Sequence, residues 1–372
     1  MPPETKVLRT EVRAFLAERG AGWTLAERAR SWDGFDSEFS RAVGARGWIG
    51  MTWPKEFGGG ERSALERFVV LEEMLAAGAP VSAHWIADRQ SGPLLLRYGT
   101  DSHKRTLLPA IARGKLCFCI GLSEPNAGSD VAALNCRARE TGDGWVLNGT
   151  KIWTTNAHHA HYMIALVRTD GEAADRHAGL SQFLIPMAAP GVSVRPIADL
   201  TNETHFNEVV FEDVVLSKDA LLGRRGGGWA QVMEELALER SGPERFLSSI
   251  QALVCLIRHL ETNPAGDGFE VVGRLTAQLV TLRQMSLSVA ATLAEGGDPS
   301  LEACIVKDLG ASFEQRLPEI AQRILGLDIA LNGTSDAANT IGKLLLMAPV
   351  FSLRGGTREV LRGIVARGLG LR

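Results

Sequence analysis

Apolar positions along this chain change their period twice. Val7, Leu8, Val12, Phe15 and Leu16 recur at helical spacing, and Phe68, Val69, Leu71, Met74 and Leu75 do so again around Glu72 and Glu73. A helix returns a side chain to one face every three or four residues, so both runs predict amphipathic helices. Between them, Gly47 to Gly60 is punctuated by glycines and Pro54 and reads as a loop. From Leu116 the texture becomes short apolar runs separated by turn residues. Strands are expected at 116–122, 161–168, 182–185, 192–197 and 208–216. Trp145-Val146-Leu147 and Thr150-Lys151-Ile152-Trp153 flank Asn148-Gly149, a dipeptide suited to a type I′ turn, and predict a hairpin.

Helical spacing returns at Gly228, after the loop glycines Gly226 and Gly227. Trp229, Val232, Met233, Leu236 and Arg240 share a face; Pro243 interrupts; Phe246, Ile250, Leu253, Val254 and Ile257 continue the pattern. Residues 263–268 break it, and helices run on to the C-terminus. The expected fold is mainly α with a central β-domain, divided as 1–115, 116–222 and 223–372.

Composition narrows the function classes. With 372 residues, 45% of them hydrophobic, the chain can bury a sizeable core. The formal net charge is -3 and Lys and Arg form no block or stripe, so no nucleic-acid partner is expected. Five cysteines in so long a chain argue against a disulfide framework. Cys117 and Cys119 fall on one face of a strand and read as buried thiols rather than half a metal site. His158, His159 and His161 have no Cys or carboxylate at ligand spacing. They read as a polar turn near a substrate entrance, and no metal is expected. The N-terminal residues lack an apolar signal core and no apolar run reaches the ~18 residues of a membrane span, so a cytoplasmic protein is expected.

Two loops carry the candidate chemistry: Leu122-Ser123-Glu124-Pro125-Asn126-Ala127-Gly128-Ser129-Asp130 and Lys151-Ile152-Trp153-Thr154-Thr155-Asn156. Trp53-Pro54 with Gly58-Gly59 precedes them; Val210 to Val214 and then Gly356-Thr357-Arg358-Glu359-Val360 follow. With these five segments in order, the chain resembles the acyl-CoA dehydrogenase superfamily along essentially its whole length. The resemblance implies an N-terminal helical domain, a middle β-barrel or sandwich domain and a C-terminal four-helix bundle. It also implies an FAD cofactor bound without a Gly-x-Gly-x-x-Gly fingerprint, an acyl-CoA substrate and an electron-transferring flavoprotein as acceptor. The implied reaction is α,β-dehydrogenation: a base removes the α-proton and the β-hydrogen leaves as hydride to flavin N5. By the same resemblance, backbone groups of Ile120 and Leu122 face the isoalloxazine and the Ser123 hydroxyl bonds its polar edge. Trp153 covers one side and the Thr155 hydroxyl approaches N5. Gly128 and Ser129 meet CoA, and Thr357 and Glu359 contact the phosphate or adenosine part of FAD.

The base is assigned by a departure. Many family members place it as the Glu of a Glu-Gly-Thr triplet, but here the triplet is Gly355-Gly356-Thr357. Members of the isovaleryl and long-chain kind place it on a helix before an Arg, and this chain has Leu236-Ala237-Leu238-Glu239-Arg240. Glu239 is therefore the expected base, with Arg240 counted among the substrate-binding residues. Leu236, three residues earlier, puts the carboxylate at the edge of an apolar face, where desolvation raises a carboxyl pKa. A structural Glu–Arg element at a helix end is the alternative.

Two further family segments are missing. Residues 258–267 lack the Arg-x-x-Phe-Gly pattern, and Gln322 to Leu327 retains little of Gln-x-x-Gly-Gly-x-Gly. In the family both complete FAD binding across a subunit contact. Assembly is therefore expected either as a homo-oligomer, dimer or tetramer, or as an α2β2 pair of unlike chains. The alternatives to a self-sufficient dehydrogenase are a partner subunit that needs another chain, and a flavin oxidase or monooxygenase on the same fold.

Overall fold

The computed structural model describes residues 3–169, 176–240, 242–264 and 266–371, without the side chains of 236–239. The N-terminal helices are α1 (Glu4–Arg19), α2 (Leu25–Arg28), α3 (Ser37–Ala45), α4 (Ala64–Ala76), α5 (Ser82–Ile86), α6 (Gly92–Tyr98) and α7 (Asp101–Ala112). A five-residue π-turn, Ala87–Ser91, separates α5 from α6. The strands are β1 (Phe118–Gly121), β2 (Arg137–Glu140), β3 (Gly144–Lys151), β4 (Tyr162–Arg168), β5 (Leu180–Pro186), β6 (Val192–Ile197), β7 (Phe206–Ser217) and β8 (Leu221–Leu222). Then come α8 (Gly228–Glu239), α9 (Ile250–Thr262), α10 (Gly268–Ala294), α11 (Ser300–Leu325), α12 (Asp336–Phe351) and α13 (Arg358–Gly368). The architecture is helical, β, helical, as the periodicity predicts. Among the described residues no helix is long and apolar enough to cross a membrane.

The chain divides into two compact units. One comprises residues 1–34, 62–81 and 239–372, and thus α1, α2, α4 and α9–α13. Within it α11 packs against α9, α10, α12 and α13. Glu72 and Glu73 on α4, which fall between its apolar positions, are both buried. Arginines reach them from two other helices. Arg9 of α1 pairs with both, at 2.7 Å to Glu72; Arg13 pairs with Glu73 at 2.7 Å, and Arg283 of α10 with Glu72. Val7, assigned by spacing to the apolar face of α1, is instead exposed, while Leu8, Val12, Phe15 and Leu16 are buried.

The other unit comprises residues 35–61 and 82–238. Its β-domain is one eight-stranded sheet in the order β6-β7-β3-β2-β4-β5-β8, with β1 paired to β4 off this path. Trp145 meets Phe183 edge-on at 5.1 Å in its core, among Leu147, Met163, Ile185, Val209 and Phe211. β1 pairs with residues 162–165 of β4, and β2 touches the same strand at Arg168. The chain between them, 122–136, is thereby expelled from the sheet.

The hairpin expected at Asn148-Gly149 does not form. β3 runs straight through both residues, paired on one side with β2 and on the other with β7. The dipeptide makes a β-bulge, with the register against β7 shifting between Leu147 and Gly149. Asn148 Nδ2 donates to Asp213 Oδ1 at 2.9 Å, and Asp213 N donates back to Asn148 Oδ1 at 2.9 Å. The actual β2–β3 turn is Thr141 to Gly144, closed by Thr141 N on Gly144 O at 2.8 Å. Gly149 has φ +140°, and a Cβ there would stand 2.7 Å from Cys136 Cα. Gly149→Ala is therefore expected to cost about 2 kcal/mol or more. An unchanged thermal midpoint for that variant would contradict this account of the bulge.

Candidate active site

All the loop residues that the sequence singles out between 120 and 156 lie in the unit that carries the sheet. β1 delivers Ile120, and the chain then turns out at Leu122-Ser123. Glu124 and Ala127 close a tight turn by exchanging backbone hydrogen bonds at 2.9 and 3.0 Å. The buried Glu124 carboxylate accepts from Asn135 N at 2.6 Å, Cys136 N at 2.9 Å and Lys151 Nζ at 2.8 Å. Lys151 is fully buried, and also donates to Leu122 O at 3.1 Å. Ile152 N donates to Ser123 O at 3.0 Å. One ion pair, one ammonium-to-carbonyl bond and one backbone hydrogen bond thus bolt the Ser-Glu-Pro loop to the Lys-x-Trp loop. The motifs do not mark either partner of that ion pair as a site residue, although a Lys and a Glu inside two motifs of one site invite pairing.

Beyond the bolt the second loop is held rigidly. Thr154 N donates to Asn207 O at 3.0 Å, and Asn207 Nδ2 returns a bond to Thr154 O at 3.0 Å. Asn156 N donates to His205 O at 2.7 Å, and its side chain donates to Ser82 Oγ at 2.5 Å. Trp153, at φ +59°, is pressed into a left-handed conformation between these anchors. Its indole meets Phe206 edge-on at 5.9 Å yet stays 56% exposed. A large aromatic side chain held in strained backbone and left open to solvent is an unusual outcome for core packing. Ile120, Leu122, Ser123 and Thr155 are half-buried; Gly128 and Ser129 are exposed. These groups fit a planar ring with a polar edge: an aromatic face, two accessible hydroxyls and the end of a strand.

The expected polar turn after the loop is tied down. His158 Nδ1 bonds Asn207 Oδ1 at 2.9 Å, His159 stacks on Phe35 at 4.0 Å, and His161 Nδ1 accepts from Cys117 N at 3.1 Å. Burial, with His158 beside it, holds His159 below the usual histidine pKa. Burial pushes the Cys117 thiol up to about 12 and those of Cys136 and Cys255 to about 11, so none is a ready nucleophile. Among the described residues no group of three His, Cys, Asp or Glu is placed to hold a metal ion.

The remaining site residues lie in the helical unit. Glu239 closes α8, and its side chain lies outside the described residues. Arg240 is buried, with Nε 3.4 Å from Gly355 O and Nη1 3.5 Å from Cys304 Sγ. Arg354 anchors the same loop through Glu244 O at 2.8 Å, Ser248 Oγ at 2.7 Å and Glu314 Oε2 at 3.0 Å. Gly355 has φ +71°, and a Cβ there would stand 2.9 Å from Arg245 Nη2. Backbone and neighbour together favour glycine where many family members carry the base. Thr357 caps α13, accepting from Val360 N at 3.4 Å, and Glu359 is exposed in its first turn. A helix start with a hydroxyl cap is a suitable seat for a phosphate.

A helical segment, a central sheet that extrudes two interlocked loops, and a closing helical bundle together define the acyl-CoA dehydrogenase class of enzyme. The comparisons agree over nearly the full length. The family models for the acyl-CoA dehydrogenase N-terminal, middle and C-terminal domains match residues 2–115, 119–214 and 226–370. Acyl-CoA dehydrogenase IpdE1 of Mycobacterium tuberculosis is 32% identical over 382 residues, spanning 99% of this chain and 98% of the relative. Acyl-CoA dehydrogenase FadE26 of the same organism is 30% identical, spanning 99% and 97%. Among solved structures, the Tcur3481-Tcur3483 steroid ACAD superposes with a TM-score of 0.89 at 28% identity, covering 100% of this chain and 98% of that one. The ChsE4-ChsE5 complex from Mycobacterium tuberculosis gives 0.85 at 28% identity, covering 100% and 98%. The chain belongs to the acyl-CoA dehydrogenase family, whose members are flavoproteins.

Proposed function

We propose that this enzyme carries out FAD-dependent α,β-dehydrogenation of an acyl-CoA thioester, with functional domains divided near residues 115 and 222. The observation that carries the reading is the Lys151–Glu124 bolt, which locks the two motif loops together and leaves Trp153 exposed beside them. In this reading Ile120, Leu122, Ser123, Trp153 and Thr155 hold the isoalloxazine ring, and Thr357 and Glu359 hold the phosphate or adenosine part. Bound FAD supplies the hydride acceptor. The chain's own residues do the rest. Gly128 and Ser129 receive CoA, Glu239 takes the α-proton onto its carboxylate, and Arg240 steadies the segment that ends at Thr357. Trp153 shields its side of the site from water.

Trp153→Ala is expected to weaken FAD binding by roughly tenfold, the equivalent of about 1.4 kcal/mol of lost stacking, and to change the flavin absorbance. An unchanged spectrum and affinity would put the ring elsewhere. Anaerobic addition of acyl-CoA thioesters tests the reaction directly: the flavin should bleach with thioesters and stay oxidised with the free acids.

The departures at 258–267 and 322–327 favour a second element of the reading, assembly with an unlike chain in an α2β2 complex. The names of the Tcur3481-Tcur3483 and ChsE4-ChsE5 structures describe two-chain proteins, and the first a steroid enzyme. We carry both points to this chain as proposals: a sister chain completes FAD binding, and the acyl group is bulky. An electron-transferring flavoprotein is the acceptor that the family implies. FAD content per chain of the protein purified alone tests the pairing. About one per chain supports a homo-oligomer, and little or none in a folded protein supports a partner.

A further inference from the structure

Within the sheet-bearing unit, the face of β5 turned toward α8 carries Leu180, Gln182 and Leu184 in alternation. Val232 of α8 clusters with Leu180 and Leu166. One turn on, Glu235 comes to Gln182, two residues along the strand. Glu235, Gln182 and Gln90 of the π-turn are 4%, 0% and 9% exposed. Glu235 Oε1 accepts from Gln90 Nε2 at 3.2 Å, and Oε2 accepts from Gln182 Nε2 at 3.2 Å. Burying a carboxylate costs several kcal/mol, so a group buried this deeply holds a fixed place and fixes what it bonds.

The bond to Glu235 sets how the Gln182 amide is turned. Its NH2 donates to Glu235, so its oxygen faces away. That Oε1 is buried and has no hydrogen-bond partner among the described residues. In the π-turn beside Gln90, the Ser91 hydroxyl is likewise buried without one. An orphaned buried acceptor costs about 1–3 kcal/mol, and such costs cluster where a ligand relieves them. Single π-turns within helices also concentrate at functional sites. Position 239 lies four residues beyond Glu235 on the same helix, about 6 Å along its axis.

We propose that Gln182, held by Glu235, which Gln90 holds in turn, is the polar end of the acyl pocket and selects an acyl-CoA whose acyl part carries a hydroxyl. The inference rests on the acyl-CoA dehydrogenase reading above. The amide oxygen accepts only, so the matching ligand group must donate. A hydroxyl does, whereas a ketone, an ether or a bare methylene does not. A site built to bond a hydroxyl discriminates strongly against the analogue that lacks it, because its own acceptor is then left unpaired.

The test uses the holoenzyme, with its sister chain if FAD content calls for one. The probes are ω-hydroxyacyl-CoAs of four to ten carbons and 3-(hydroxycyclohexyl)propanoyl-CoAs, each paired with its deoxygenated analogue. At one chain length or ring position, kcat/KM should favour the hydroxylated member by about tenfold or more. Gln182→Met should cut that ratio to within about twofold. If Gln182→Met fails to fold, Gln182→Asn, which draws the amide back by one methylene, reads the same ratio. Ratios within about twofold across all pairs in the wild type, or a preference that survives in the variant, would overturn the proposal. An enzyme that oxidises both members of each pair alike keeps the dehydrogenase reading and loses this one. An enzyme that bleaches with neither member of any pair loses both.

Discussion

Glu239→Gln should lower turnover by about a hundredfold or more, the usual contribution of a positioned general base. The amide fills the same space but cannot take the α-proton. FAD content and thermal midpoint should stay at the wild-type level, since the substitution removes a proton acceptor and leaves the helix intact. A turnover within about tenfold of wild type would reject Glu239 as base. The competing position is unattractive on structural grounds, because Gly355 sits at φ +71° with Arg245 against it. Gly355→Glu should therefore fail to restore activity to the Glu239→Gln protein.

The second large effect is expected at the bolt. Lys151→Met removes a buried ammonium and leaves the Glu124 carboxylate with only its two backbone donors. Removing one partner of a buried ion pair costs about 3–5 kcal/mol. Thermal unfolding should shift downward by several degrees, and FAD should be lost with it, because Leu122 and Glu124 lose their shared anchor. Adding Glu124→Gln should recover part of the stability, since no unpaired charge then remains buried. A Lys151→Met protein with wild-type FAD affinity would mean that the two loops hold each other by backbone contacts alone.

Much of this fold is legible in the sequence because its periods are clean. The helical runs and the β runs near 162–168 and 192–197 announce themselves, and the two motif loops sit between recognisable strands. The failures have physical causes. Asn148-Gly149 carries a strong local turn preference, but β2 and β7 claim β3 on both sides, and the dipeptide bulges instead of turning. β2 escapes notice because only Ala138 of its four residues is buried. Nothing in the spacing marks Glu72 and Glu73 as buried, because the arginines that reach them come from α1 and α10. The candidate site divides in the same way. Ser123, Trp153 and Thr155 are readable as motif members. Gln90, Gln182 and Glu235 are not, because a π-turn, a strand and a helix far apart in the chain must first converge.

The sheet leaves one last consequence. β1 and β2 occupy successive stretches of the same edge of β4, so the chain from 122 to 136 departs and returns without changing any strand's neighbour. Its exposed tip at Gly128-Ser129-Asp130 can therefore gain or lose residues while every ladder keeps its register. Its root at Glu124 cannot, being clamped from three directions. The fold thus sets a tolerant margin a few residues wide beside a fixed hinge, and a library of tip insertions should yield proteins that differ in how they grip CoA while melting alike.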